Sequence, residues 1–294
     1  MKKRRAILGM ASAALAASIG VGLAAQQAAS PAAKIPDFSS GNKTWVLTGG
    51  TQFHKVEGDK GPGPIDDKNF PLGRGAEQQD GGGTRTVNRI ADTSNPILKP
   101  WAKKLMDLAN ARVAAGGVPF VDASRCWPAG VPSLLLFPGE AVVFLQKPNQ
   151  VWILDKRDAQ TRRIYLNVPH SKDPGYTMKG ESIGHYENGD TLVVDTVGLD
   201  DKGPLDRYRT PHTKLMHVVE RYKLAKDGKS IDISFTIDDP GAFTMPWQGK
   251  VTFEAGTTPR SSRWEEDICA ENGDGYGFDP DELIPMPHAD KPDF

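Results

Sequence analysis

Between residues 141 and 269 apolar and polar positions alternate in short runs broken by turn residues, the period of half-buried β-strands rather than helices. The runs predict strands at 141–147, 150–155, 163–167, 182–187, 191–198, 214–224, 230–238, 249–254 and 262–269. Short strands at even spacing, with no helical pattern between them, argue for an antiparallel sandwich or barrel and against βαβ units. Asn188-Gly189, where both residues tolerate positive φ, predicts a two-residue hairpin turn that opposes Glu187 to Asp190, His185 to Leu192 and Ser182 to Asp195. That register puts Ile183, His185, Leu192 and Val194 on one face. Around Asp227-Gly228, opposing Leu224 to Lys229 or to Ile231 keeps Met216, Val218, Tyr222, Ile231, Phe235 and Ile237 on one face, and Glu220 with them. His217, Arg221, Asp232, Ser234 and Thr236 take the other, with Arg221 and Asp232 as a bridge.

One stretch has the helical period instead. Pro100 suits a first-turn position, and Trp101, Leu105, Leu108 and Val113 recur until Gly116-Gly117, so 93–117 predicts a helix packed on the barrel through that Trp and Leu stripe. Residues 26–92 read as an extended, irregular Gly/Pro-rich arm in which Trp45-Val-Leu47 is the convincing strand fragment, 118–272 as the β body, and 273–294 as an acidic tail. At the start, Met1-Lys-Lys-Arg-Arg precedes a small and apolar run to Ala25, the pattern of a secretory signal over 1–25. The expectation is a periplasmic or secreted protein with no transmembrane segment in its mature form, since Ser and Gly interrupt the run.

Composition narrows the partners. Without Lys2, Lys3, Arg4 and Arg5 the formal charge goes from −1 to −5, with both signs interspersed and no basic stripe, which argues against nucleic-acid binding. In an oxidising compartment the two cysteines, Cys126 and Cys269, read as a disulfide.

The candidate chemistry lies on the predicted strand faces. A Glu220 carboxylate among Val218, Tyr222, Ile233 and Phe235 must find a cation or carry a raised pKa. It is therefore a candidate general acid or base, or half of a structural pair with an arginine such as Arg163. His185, on an otherwise apolar face, is its candidate proton partner. Arg163, Tyr165, His170 and Asp239 are candidates for orienting a substrate, and Trp247 beside Phe243 offers a wall for a sugar or aromatic ring. Equally, Asp239 caps a turn and Trp247 plugs the barrel end. Gly180-Glu-Ser-Ile-Gly184 matches a nucleophile elbow by letter, but a hairpin follows where that device needs a helix. His212 and His217, five apart, suit no zinc pair, the acidic 271–282 run lacks EF-hand spacing, and the arm's Gly clusters lack a following Lys-Ser/Thr. No metal and no cofactor is expected.

Several of these segments together resemble a family of secreted, largely uncharacterised bacterial β-rich proteins. The likeness is carried by Cys126-x-Pro-x-Gly-x-Pro132, Arg163-Ile-Tyr165 with His170, Gly180-x-Ser-Ile-Gly-His-Tyr-Glu-x-Gly-Asp-Thr-Leu-Val-Val-Asp-Thr196, His217-Val-Val-Glu-Arg221, Thr236-Ile-x-Asp-Pro240 with Pro246-Trp247, and Cys269-x-Glu-Asn272. It spans about residues 95–272. Family members have Trp where Tyr186 stands and an aspartate-glycine-arginine run where this chain has Asn167-Val-Pro169. The resemblance implies a compact lipocalin-like barrel and supplies no reaction. The expected fold is thus an all-β, antiparallel, lipocalin-like barrel with an irregular arm and one packed helix. Three functions are open: a small-molecule acid–base enzyme (lyase, isomerase or hydrolase), a non-catalytic ligand carrier or sensor, and an envelope-associated interaction protein.

Overall fold

The computed structural model describes residues 35–39, 43–48, 53–56, 58–60, 91–115, 122, 126–136, 141–155 and 160–256, all within the unit Lys34–Phe294 of the two into which the chain divides. The expected signal segment, the 262–269 strand, Cys269 and the acidic tail lie outside the described residues. Ten strands form among the described residues: β1 (Trp45–Thr48), β2 (His54–Lys55), β3 (Val142–Lys147), β4 (Gln150–Asp155), β5 (Thr161–Leu166), β6 (Glu181–Glu187), β7 (Thr191–Val197), β8 (His217–Leu224), β9 (Ser230–Asp238) and β10 (Trp247–Ala255). The described residues also include one α-helix, α1 (Pro100–Ala114), and a short 3-10 turn, Ser133–Leu135. No helix among the described residues is long and apolar enough to cross a membrane.

Nine of the strands close into a barrel in the order β1-β3-β4-β5-β6-β7-β8-β9-β10, with β10 returning to β1, and β2 pairs with the far part of β10. The expected barrel is present, with one correction to its direction. Eight neighbouring pairs are antiparallel, but β5 and β6 run parallel, Tyr165 opposite Ile183. A closed ring of strands in which every neighbour reverses must have an even number of members, so nine strands require one parallel pair. The arm is part of the wall: Trp45–Thr48 is the strand that seals it, opposite Ala255–Thr252.

Alternation along each strand sends one side chain in two to the interior. Trp45, Phe144, Tyr222, Phe235, Trp247 and Phe253 are all buried there, and Phe144 meets Tyr222, and Phe235 meets Trp247, edge to face at 5.9 Å. Gly249 makes room for this packing, because a Cβ at that position would run into the Phe235 ring. The lumen is thus filled by side chains. The helix buries Ala102, Met106 and Val113, whereas Trp101 and Leu108 of the expected stripe stay exposed. Trp101 is instead held by its indole N–H, which donates to the Gly241 carbonyl at 2.9 Å.

The β8–β9 hairpin takes the Leu224–Ile231 register, which carries Val218, Glu220 and Tyr222 inward beside Ile237, Phe235 and Ile233. Arg221 faces Ser234 rather than Asp232, so that bridge is replaced by one to Glu187. In the β6–β7 hairpin the expected register is off by one. Asn188 and Gly189 both have positive φ and Asp190 N–H closes the turn on Glu187, but Asp190 stays in the loop and Glu187 pairs with Thr191. A slip of one residue exchanges the faces of a strand. Ser182, Gly184 and Tyr186 therefore point inward, and Ile183 and His185 point out.

Inside the wall, Glu220 is 0 % exposed and meets Arg162 in a two-pronged pair, Nη1 to Oε1 at 3.0 Å and Nη2 to Oε2 at 2.5 Å. The guanidinium also donates to Ser182 Oγ at 3.1 Å and Thr196 Oγ1 at 2.9 Å, and the Tyr222 hydroxyl donates to Glu220 Oε1 at 2.8 Å. Burial opposes the Arg162 charge, but Glu220 outweighs it and pushes the guanidinium pKa up. Burial, then the carboxylate, drives the Tyr222 phenol well above its ordinary value, which keeps it a donor. Removing one partner of such a pair strands a buried charge, whereas replacing both by apolar groups does not. Arg162→Met should therefore lose about 3–5 kcal/mol in chemical denaturation. Arg162→Met combined with Glu220→Leu should recover most of that loss, and a double variant as unstable as the single one would contradict this account.

Candidate functional site

Because β5 and β6 are parallel, the chain between them must travel back along the barrel, and a strand of this size is about 20 Å long. Residues 167–180 make that return across the outside of the wall. Asn167, in a positive-φ turn, begins it, and Thr177 pins it down by donating to the Gly198 carbonyl at 3.0 Å and accepting from Asp200 N–H at 2.8 Å. Gly198 permits the contact, since its φ is +67° and a Cβ there would collide with the Gly175 carbonyl. The return segment lays His170 over the outer faces of β6 and β7, where Glu181 and Asp195 project.

These residues join in a chain. His170 Nδ1 lies 2.9 Å from Glu181 Oε1, and His170 Nε2 lies 3.0 Å from Asp195 Oδ1. The same Asp195 oxygen is 2.8 Å from His217 Nε2 at the start of β8. Ser171 adds a backbone donor to Glu181 at 2.8 Å, and its hydroxyl donates to the other carboxylate oxygen. Partial burial pushes the Asp195 carboxyl up, but the two imidazoles outweigh it and hold it below its ordinary 3.8. Glu181 behaves alike: burial raises it, while Ser171 and then His170 bring it below 4.5. Only a doubly protonated His170 donates to both carboxylates at once. His217 uses Nε2 toward Asp195, which leaves Nδ1 as its second exchanging nitrogen.

His217 also lines a cleft of about 180 Å³ between the return segment and the β7–β8 connection. Asp173, Pro174, Tyr176, Lys214 and Met216 contribute other walls. A second, wider groove of about 710 Å³ runs over β7–β10 between Arg221, Lys223, Asp232 and Lys250. There Lys223 stands opposite Asp232 in the strand register, and Arg221 is paired with Glu187.

The sequence-predicted site residues distribute as follows. Glu220 faces inward as expected, but it is locked to Arg162, not Arg163. His185, with a side chain 52 % exposed, sits on the outer face at 2.9 Å from Glu187. Glu220 and His185 are therefore on opposite sides of the wall and exchange no proton. Arg163 and Tyr165 also face out: the guanidinium stacks 4.3 Å from the Trp152 ring centroid and donates to the Tyr165 hydroxyl at 2.9 Å. Tyr165 is opposite Ile183, which is opposite Asp195, so this pair shares the outer wall with His170. Asp239 is the turn cap: buried, it accepts from Thr213 N–H and Oγ1, both at 2.6 Å, and from Gly241 N–H at 2.9 Å. Trp247 is the plug, buried between Phe235 and Phe243 at ring distances of 5.9 and 5.8 Å. Cys126 is described, but its expected partner Cys269 is not among the described residues.

Of the outer chain only His170 was expected at a site. Asp195, Glu181 and His217 were missed, although alternation already placed His217 on an outward face. No protein-family model matches this chain and no curated protein matches its sequence, so the functional reading rests on geometry.

Carboxyls depressed in the folded state stabilise it fully above their ordinary pKa and lose that contribution as pH falls through the depressed values. The contribution of Asp195 and Glu181 is thus complete well above their ordinary pKa values and fades as pH falls through the depressed ones. Asp195→Asn and Glu181→Gln should each lower Tm near neutrality, and the gap to the parent chain should narrow progressively as the pH is taken into acid. Thermal melts across pH check this, and a Tm gap that persists unchanged in acid would contradict it.

Proposed function

We propose that this is an exported acid–base enzyme that works on a small sugar-like or aromatic compound in the outer-wall cleft, by elimination, isomerisation or hydrolysis. The supporting observation is the Asp195 oxygen shared by two imidazoles, one of which lines the cleft. With its Nε2–H donated to Asp195, His217 presents the Nδ1 lone pair as a general base, and Asp195 stabilises the imidazolium that results. His170 and Glu181 act through Asp195: they set its orientation and keep it ionised. The cleft suits the task better than the lumen, whose volume is taken by Trp45, Phe144, Tyr222, Phe235 and Trp247.

The test is product formation, followed by NMR, from a panel of sugar acids, glycosides and aromatic esters. His217→Gln should lower turnover about 10²-fold or more in a chain that still melts cooperatively, and Asp195→Asn should also lower it. Turnover that survives His217→Gln removes the reading. Ligand binding with no turnover at all is the behaviour of a carrier instead.

A further inference from the structure

The acid–base reading leaves the substrate broad, and the cleft narrows it. Lys214 stands on the same short run as His217, separated from it by Leu215 and Met216, and both residues line the cleft. Its ammonium lies 5.4 Å from the centroid of the Tyr176 ring, a cation–π contact that keeps it at the rim. Its nearest ion-pair partner among the described residues is Asp201, at 3.7 Å with both side chains about half exposed, too far for a hydrogen bond and too wet for a strong pair, and Asp200, which also feels its charge, has Lys202 beside it. A cation with three N–H donors is thus held beside the proton-exchanging histidine with no hydrogen-bond acceptor of its own among the described residues. An anionic group on the ligand supplies one.

Opposite in character is Asp173, which also lines the cleft and whose carboxylate meets Gly175 N–H only at a long 3.4 Å. A carboxylate in the cleft looks for hydroxyl donors, which a benzoate-like acid lacks and a sugar offers. The cleft, about 180 Å³, is below the roughly 300–1,000 Å³ of pockets for drug-sized ligands and suits a small, single-ring compound. Tyr176, 58 % exposed, gives such a ring an apolar edge to lie against.

Resting on the acid–base reading, we infer that the substrate is a monocyclic sugar acid, its carboxylate anchored by Lys214, its hydroxyls donating to Asp173, and its reacting carbon brought to His217. Lys214 and Asp173 are then the residues that set specificity.

Binding is measured by calorimetry in the full chain carrying His217→Gln, so that no turnover interferes, with glucuronate, glucose and benzoate as probes. Glucuronate should bind about tenfold or more tightly than either of the others. Adding Lys214→Met should erase its advantage over glucose and leave glucose affinity unchanged, while Asp173→Asn should weaken both sugars and spare benzoate. Unchanged melts confirm that the variants fold. Equal affinity for glucose and glucuronate, a preference that survives Lys214→Met, or no glucuronate binding at about 10 mM each overturns the inference. The two proposals fail separately. His217-dependent turnover of a neutral ring with no carboxylate preference sinks only the sugar-acid assignment. A Lys214-dependent preference in a chain that turns nothing over sinks only the enzyme.

Discussion

An odd number of strands does not close with alternating directions, and much of this molecule follows from that constraint. Nine strands leave β5 and β6 parallel. Antiparallel neighbours need only a turn, but a parallel neighbour needs a segment that returns the full length of the wall. Here that segment carries no helix. It lies flat on the barrel and brings His170 against Glu181 and Asp195, side chains that would otherwise point into solvent. The cleft exists because this return and the long β7–β8 connection run over the same face.

The wall separates two kinds of polar chemistry. Inside, Arg162, Glu220, Tyr222, Ser182 and Thr196 satisfy one another in a buried network, where each group has a partner. Outside, Glu181, His170, Asp195 and His217 hold similar groups at similar distances, but half in water and beside a hollow. The low dielectric within makes any vacancy costly, so those residues are fixed in role. The outer chain is partly solvated, and it ends in His217, which lines the cleft.

Much of the scaffold was legible from periodicity. The predicted strands 150–155 and 230–238 match the structure residue for residue, and Asp227-Gly228 admitted the register that turns Glu220 inward. The identity of its cation was also within reach: Ile164 and Leu166 fix the inward face of β5, and Arg162 shares it while Arg163 does not. Asn188-Gly189 misled because Asp190 joined the loop, and one added residue moved His185 from lumen to surface. The helix stripe failed for a similar reason, since Trp101 found a backbone acceptor at the rim and left the buried face to Ala102 and Met106. The outer site was beyond periodicity altogether. It joins residues 170, 181, 195 and 217 through a crossover that only strand count and pairing reveal.

The seal between β1 and β10 joins positions about two hundred residues apart, Trp45 with Ala255 and Thr48 with Thr252. Contacts of such separation weigh on folding speed, because the chain must surrender a long loop's freedom before the contact rewards it. A growing chain therefore holds an unzipped cylinder until its tenth strand arrives. In that interval the free margins of β1 and β9 are open to pairing with other copies. Among the described residues, β10 is the strand that turns a vulnerable sheet into a closed barrel.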